Sequence, residues 1–375
     1  MITGVIGAGI MGSGIAQQAA MSGCEVRLYD ISSEKLNKAL QDISLSLGRF
    51  ASKGVIQNQE ISGILGRIYS CTSIDALSDC QLIIEAIAED LNLKKELFSK
   101  LEKVVSDDCI LATNTSSLSI TSIASVLKTP ERFIGIHFFN PVVLMQLTEI
   151  IPAIQSKDEI IDKTINIIES WGKQVVKAKD TPGFIVNKVA RPFYSEAIRI
   201  MEEAIADTLT IDEVMRNSGF KMGPFELMDF IGHDVNYRVT ESVWKSFYYD
   251  SRYRPSFSQL RLLEAGFLGK KSGKGFYDYP NTNAQVRSID PELIHKIFMR
   301  IISMLINEAA DTVYFGICNQ EDVEKSVKLG LNYPKGLFEW GKDIGFQNIV
   351  TTLDDLYQFY HEDRYRVCPL LRKLP

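Results

Sequence analysis

A strand-like run at residues 2–7 leads into Gly7-Ala-Gly9-Ile10-Met11-Gly12, and the chain then enters a helix-forming segment at 13–21. Three glycines at this spacing between a strand and a helix leave little choice of local fold. Gly7 permits the tight turn, Gly9 lets a pyrophosphate approach the backbone, and Gly12 lets helix and strand pack closely, while the helix N-terminus faces the negative charge. The triplet alone leaves a flavin open. Asp30 narrows the reading, because it ends the second strand-like run, 26–30, eighteen residues past Gly12. There a carboxylate can accept hydrogen bonds from the ribose hydroxyls and repel a 2′-phosphate, and no arginine comes after it to compensate. The expectation is an NAD site whose turn is built by Gly7, Gly9, Ile10, Met11 and Gly12.

The rest of the first half agrees. Short β-branched runs at 26–29, 68–72, 82–86, 110–113, 133–137, 147–151 and 175–177 alternate with amphipathic stretches. Alternation of this kind predicts an α/β fold, a Rossmann-type, mostly parallel sheet. The pattern changes at the turn-forming Lys179-Asp-Thr-Pro-Gly183, after which apolar residues recur at helical spacing through 184–205 and beyond. A polar stretch at 279–283 marks a second break. The residues beyond this break repeat those before it: 222–232 resembles 335–345 at an offset of 113, while 252–254 matches 364–366 and 196–197 matches 308–309 at an offset of 112. Three blocks at nearly one offset indicate a duplicated helical unit. The expected organisation is an NAD-binding domain at 1–180 and an all-α C-terminal domain in two copies, 181–280 and 284–375.

Bulk properties exclude several classes. A net charge of −6 with interleaved signs lacks the clustered basic face that nucleic acid requires. No segment approaches the roughly 18 consecutive apolar residues of a membrane span. The strand that starts at Ile2 leaves no room for a signal peptide, which predicts a cytoplasmic protein. The six cysteines form no CxxC pair and no histidine stands at ligand spacing, so they read as reduced thiols with no metal site.

Of the four histidines, only His137 lies at the carboxyl end of a predicted strand, the edge at which open α/β sheets bind ligands. Glu149 lies in the next strand. An antiparallel hairpin centred on Val143 would set each residue opposite the one equally far past the loop, which brings position 137 to 149. A carboxylate beside an imidazole fixes its tautomer and favours the imidazolium formed when a proton is taken. The same pair also fits a buried histidine satisfied by a structural glutamate.

Five motifs together resemble the 3-hydroxyacyl-CoA dehydrogenase family over about residues 2–280. They are Asn114-Thr-Ser-Ser-Leu118, His137-Phe-Phe-Asn-Pro141, the twelve-residue step to Glu149, the run 180–187, and the glycine- and lysine-rich run 269–277. The resemblance implies NAD-dependent oxidation of an (S)-3-hydroxyacyl-CoA thioester to the 3-ketoacyl-CoA, with His137 and Glu149 as the catalytic dyad. It further implies that Ser116 touches the substrate's C3 oxygen and the nicotinamide region, and that Asn187 holds the same oxygen. Glu89, Lys94, Asn140 and Lys271 would belong to the cofactor site, and Ser46 and Lys53 would bind the coenzyme A nucleotide. On residue type alone, Ser116 also fits a helix N-cap, Asn187 an interhelical hydrogen bond, and Ser46 with Lys53 a solvated surface pair. Some longer members carry a second helical domain, which here could replace a dimer partner. A hydratase or thiolase is a possible working partner. The rival readings are a dehydrogenase of a free hydroxy or sugar acid on the same scaffold, indifferent to Ser46 and Lys53, and a catalytically idle relative.

Overall fold

The computed structural model describes residues 1–281 and 289–375, and divides them into two compact units, Met1–Thr181 and Pro182–Pro375. The sequence predicts the first boundary at 180/181. The second predicted boundary, at 280/284, falls largely outside the described residues. Both helical halves belong to one compact unit.

The first unit is built on eight strands: β1 (Ile2–Ile6), β2 (Glu25–Tyr29), β3 (Ile68–Cys71), β4 (Leu82–Glu85), β5 (Ile110–Thr113), β6 (Phe133–Phe138), β7 (Leu147–Pro152) and β8 (Gln174–Lys177). Their order is β3-β2-β1-β4-β5-β6-β7-β8, parallel throughout except for the antiparallel pair β6 and β7. Strands β4, β5 and β6 are buried along their whole length. They therefore read as largely apolar runs, as parallel strands do when both faces are covered, with polar residues only towards their carboxyl ends. The covering helices are α1 (Ile10–Met21), α2 (Ser33–Ser52), α3 (Glu60–Leu65), α4 (Leu91–Leu101), α5 (Ile120–Ala124) and α6 (Asp158–Ser170). In α2 the buried Leu36, Ala39, Ile43 and Leu47 fall on one stripe, and Ser32 caps the start by accepting from Lys35 N. Helix α1 starts three residues earlier than its sequence pattern suggests, because Gly9 O already accepts from Ser13 N. The chain order reverses at β1, which lies between β2 and β4, and there an open α/β sheet leaves a crevice at its carboxyl edge.

The second unit is helical. Its first half holds α7 (Val186–Val189), α8 (Arg191–Glu202), α9 (Thr208–Asn217), α10 (Pro224–Ile231), α11 (His233–Ser246) and α12 (Phe257–Glu264). The second half holds α13 (Pro291–Tyr314), α14 (Gln320–Gly330), α15 (Leu337–Ile344) and α16 (Phe346–Tyr360). The helical pattern over 184–205 is two helices: Pro192 occupies the first turn of α8, where its missing N–H costs nothing, and the chain breaks at Ala190. The matching stretch of the second half has Met304 at that place and runs on as the long α13.

Side-chain contacts mirror the repeat. Glu226 accepts from Gly223 N at the start of α10, as Glu339 does from Gly336 N at the start of α15, both at 3.2 Å. Gly232 and Gly345 end those helices at φ 97° and 88°, a backbone conformation that favours glycine. Across the seam the halves exchange partners. Lys188, Arg252 and Tyr253 reach Glu308 of the second half, and Arg300, Arg364 and Tyr365 reach Glu196 of the first. Each of these residues stands 112 positions from its counterpart. The two glutamates are completely buried. Burial opposes their ionisation, but the surrounding cations overcome it and hold both carboxyls below the usual range.

Candidate active site

At the end of β1, Gly7 adopts φ 99°, and a Cβ there would lie 2.7 Å from Ala86 O. A Cβ on Gly12 would lie 1.7 Å from Gly7 O, so the turn and the helix behind it fit only without side chains. Gly9 faces open space. No side chain caps the start of α1 and its first turn holds no acid, so the helix end presents its N–H groups and partial positive charge outward. Asp30 holds the turn from the other side, with Oδ2 accepting from Ala8 N and Oδ1 from Ser32 N, both at 2.9 Å. The groove bounded by Gly7, Gly9, Asp30 and Ala88 has a volume of about 500 Å³, within the range of small-molecule sites. Glycine turn, uncapped helix end and strand-end carboxylate fit a dinucleotide. Lys35 and Lys100 also line this groove, and no sequence motif marks them.

Next to the groove lies a buried polar cluster. Glu85 ends the otherwise apolar β4 and is completely buried. It accepts from Lys94 Nζ at 2.6 Å, from Thr113 Oγ1 at 2.7 Å and from Ile87 N at 2.6 Å. Lys94, equally buried, lies 3.3 Å from Glu89. Glu89 in turn accepts from Thr115 Oγ1 at 2.5 Å, Ser116 N at 3.0 Å and Ser117 Oγ at 3.1 Å. Burial raises the Glu89 carboxyl, but Lys94 and these donors outweigh it and hold the group below its ordinary value. Thus Glu89, Lys94 and Ser116 meet, with Lys94 clamped between two carboxylates. Glu85 belongs to none of the sequence motifs, although a lone acid closing an apolar strand beside the switch point is a usable signal. The N-cap of α5 is Ser119, which accepts from Ser122 N at 3.1 Å, so Ser116 does not cap it. Asp180 braces the same helix start, accepting from Ile120 N and Thr121 N.

Two strands away, β6 and β7 pair with His137 opposite Glu149. His137 Nδ1 lies 2.6 Å from Glu149 Oε2, with the histidine side chain 8% exposed and that of the glutamate completely buried. The Phe139 ring centroid is 4.5 Å from that of the imidazole. Asn114 Oδ1 accepts from Phe138 N at 2.9 Å, which ties the Ser116 loop to the histidine strand. Asn140 is exposed in the hairpin loop. That loop packs on α1, where Gly14 leaves room for Val142, and Lys173 secures it by donating to Val142 O and Met145 O. Burial draws the Lys173 ammonium down to about 8.

The remaining predicted residues lie elsewhere. Ser46 is half-buried in α2, and Lys53 is exposed one residue past the end of that helix. Asn187 belongs to α7 of the helical unit, where its carbonyl accepts from Arg191 Nε at 2.8 Å. Lys271, also in that unit, pairs with Asp234. The run 269–277 wraps a buried carboxylate: Asp229 accepts from Phe276 N at 2.9 Å and Tyr277 N at 3.0 Å, and a Cβ on Gly269 or Gly275 would lie 2.2 Å from an oxygen of Asp229. Gly269 and Gly275 are thus set by packing, whereas Gly273 meets nothing within 4 Å and turns the chain at φ 80°. His233 is satisfied by the same Asp229 at 2.8 Å.

Residues 2–181 match the sequence model of the 3-hydroxyacyl-CoA dehydrogenase NAD-binding domain, and residues 183–279 and 297–375 each match that of its C-terminal domain. The chain belongs to the 3-hydroxyacyl-CoA dehydrogenase family. It is an NAD-dependent oxidoreductase with a duplicated C-terminal helical domain. Among relatives, the 3-hydroxyadipyl-CoA dehydrogenase of Escherichia coli (strain K12) is 36% identical over 98% of this chain and 96% of its own length. The 3-hydroxybutyryl-CoA dehydrogenase of Bradyrhizobium diazoefficiens is 40% identical over 74% of this chain and 94% of its own. A crystal structure of 3-hydroxybutyryl-CoA dehydrogenase from Escherichia coli K12 superposes with a TM-score of 0.94, at 35% identity, covering 100% of this chain and 98% of that one. Among the described residues, no helix of this family member is long and apolar enough to cross a membrane.

Proposed function

We propose that this dehydrogenase interconverts (S)-3-hydroxyacyl-CoA and 3-ketoacyl-CoA thioesters with His137 as the proton-transfer group and Glu149 as its partner. The observation that carries the proposal is the 2.6 Å contact between these side chains at the carboxyl edge of the sheet. With Nδ1 held by the carboxylate, Nε2 is the ring nitrogen that would take the C3 hydroxyl proton, and Glu149 stabilises the imidazolium that results. In the reverse direction the same Nε2–H returns the proton to the ketone oxygen. NAD, when bound, supplies the nicotinamide that takes the C3 hydrogen with its electron pair. Gly7, Gly9, Ile10, Met11, Gly12 and Asp30 would hold its adenosine and pyrophosphate, and Asn140 would contribute from the hairpin loop. Ser116 and Asn187 would donate to the C3 oxygen. Lys94, buried between Glu85 and Glu89, acts by fixing Glu89, which in turn fixes the Ser116 loop. Lys271 is the remaining cofactor contact that the resemblance implies, and Ser46 and Lys53 would take the coenzyme A nucleotide.

We also read 181–280 and 284–375 as two domains in which the second fills the place of a dimer partner, and the exchanged glutamate contacts support this. Position 299, the counterpart of Asn187, is methionine, so the second copy lacks that amide. Its part is structural. A separate hydratase or thiolase would handle the neighbouring steps on the same thioester, and the cytoplasm remains the expected compartment. The test is the NADH absorbance band with acetoacetyl-CoA, free acetoacetate, and NADPH in place of NADH. The expected outcome is rapid oxidation of NADH only with the thioester. Equal rates with free acetoacetate would favour the free-acid reading, and no rate with either would overturn the proposal.

A further inference from the structure

In the helical unit, a narrow pocket lies along α8, walled by α11 and the start of α12 and reached from the second half by Arg364. Four arginines line it, Arg191, Arg199, Arg254 and Arg364, against one carboxylate, Glu202. Glu202 is engaged by the Ser256 and Ser258 hydroxyls. Arg199 is matched by Glu362 and Glu203, and Arg364 by Glu196. Arg191 and Arg254 form no ion pair among the described residues. Arg191 is 5% exposed and donates only to neutral oxygens, Asn187 O and Thr240 Oγ1. Ser195 Oγ and Arg364 Nε, both buried, have no hydrogen-bond partner among the described residues.

The duplication supplies an internal control. Arg252, the counterpart of Arg364, meets two carboxylates, Glu308 and Asp311, each at 3.2 Å. Arg364 meets Glu196, but the position equivalent to Asp311 is Arg199. The position equivalent to Arg191 is Ser303. One half therefore carries its own negative charge where the other has gathered arginines. A buried guanidinium without a counter-charge is costly, and burial accordingly weakens the hold of Arg191 on its proton.

We propose that this pocket is an oxyanion site centred on Arg191, which takes one carboxylate or one phosphate group. The free space of about 40 Å³, where a water needs roughly 10–15 Å³, admits such a group and no nucleotide. Two sources share that chemistry. One is a free small anion that stabilises the seam. The other is the far-end carboxylate of an acyl-CoA substrate, and this alternative rests on the proposed role of Asn187, whose carbonyl accepts from Arg191 Nε at 2.8 Å.

The test uses the full chain in two arms. The first compares thermal unfolding in inorganic phosphate, in adipate and in chloride at matched ionic strength. A free-anion site gives a rise of ~2–4 °C in the first two, lost in Arg191→Met and partly kept in Arg191→Lys. The second arm compares kcat/KM for a six-carbon 3-ketoacyl-CoA ending in a carboxylate and its methyl-ended counterpart. A substrate site gives a preference of about tenfold for the carboxylate, again lost in Arg191→Met, as the loss of a charge-assisted hydrogen bond requires. A response in either arm that depends on Arg191 supports the site and identifies its source. Neither response in the wild-type chain, or a response unchanged in Arg191→Met, overturns it. Should that variant fail to fold, Arg254→Gln at the exposed rim serves instead, with a several-fold weaker response expected. Absence of turnover on acetoacetyl-CoA would sink the proposed reaction and leave the first arm readable.

Discussion

His137 and Glu149 meet because antiparallel pairing sets residues equally distant from a loop opposite one another, and both lie on the same face of their strands. Replacing His137 by Gln removes the proton acceptor while preserving size and polarity. Turnover should fall roughly 10²–10⁴-fold with thermal stability and NADH binding kept, which steady-state kinetics beside a fluorescence titration will check. A variant as fast as the parent would remove His137 from the chemistry. A second residue-scale prediction concerns Asp212 in the helical unit. Burial pushes its carboxyl up to about 7, although Tyr277 Oη, Phe225 N and Glu226 N all donate to it. A folded value above the unfolded one of about 3.9 means that the fold favours the protonated acid. Its contribution to stability is complete below about pH 4 and is lost as pH rises through 7. Asp212→Asn cannot ionise, so its melting temperature should decline less than the parent's between those limits. Parallel curves would show that Asp212 titrates normally.

At the scale of elements, the first strand, turn and helix divide their glycines between two tasks. Gly12 is held by packing against Gly7 O, whereas Gly9 meets no protein atom within 4 Å. Gly12→Ala must displace backbone, and should lose at least ~1–3 kcal/mol in urea unfolding along with NADH binding. Gly9→Ala should lose no more than about 1 kcal/mol of stability, the scale of an N-cap change, yet weaken NADH strongly. Equal destabilisation of the two would mean that the open side of Gly9 is not where the cofactor lies. Proline shows how one residue reshapes an element within a repeat: Pro192 splits the first half's long helix into α7 and α8, and the second half, with Met304 there, keeps one unbroken helix.

Across the whole molecule, the helical unit is held by two mirrored charge clusters in which each half lends its cations to the other's glutamate. Glu308→Ala would leave Lys188 and Arg252 buried with only Asp311 to share, at 3.8 and 3.2 Å. A loss of roughly 3–5 kcal/mol on chemical denaturation is expected, with the melting of both halves as one transition. If the halves melt separately, the seam does not couple them. If the second half acts as an internal partner, the parent should sediment at single-chain mass, and an obligate dimer built on the first-half helices would contradict it.

The alternation of strands and helices, the glycine turn, the 137-to-149 register and the 112-residue repeat were all legible in the sequence, because each depends on short-range periodicity or on a fixed spacing. Strand ends fell within a residue or two of their predicted places for the same reason. Three-dimensional packing decided the rest. Lys94 could be read as a cofactor contact from its motif, but only the fold brings Glu85, nine residues away at a strand end, onto it. The glycines of 269–277 looked like a signature, and the cause of two of them, Gly269 and Gly275, is the buried Asp229, some forty residues earlier. The repeat could be counted along the chain, whereas the exchange of Glu196 and Glu308 across the seam, and the gathering of Arg191 with Arg364, needed coordinates. Long-range ion pairs and pockets carry no local period, since they form only where separate elements are pressed together by the burial of their apolar faces.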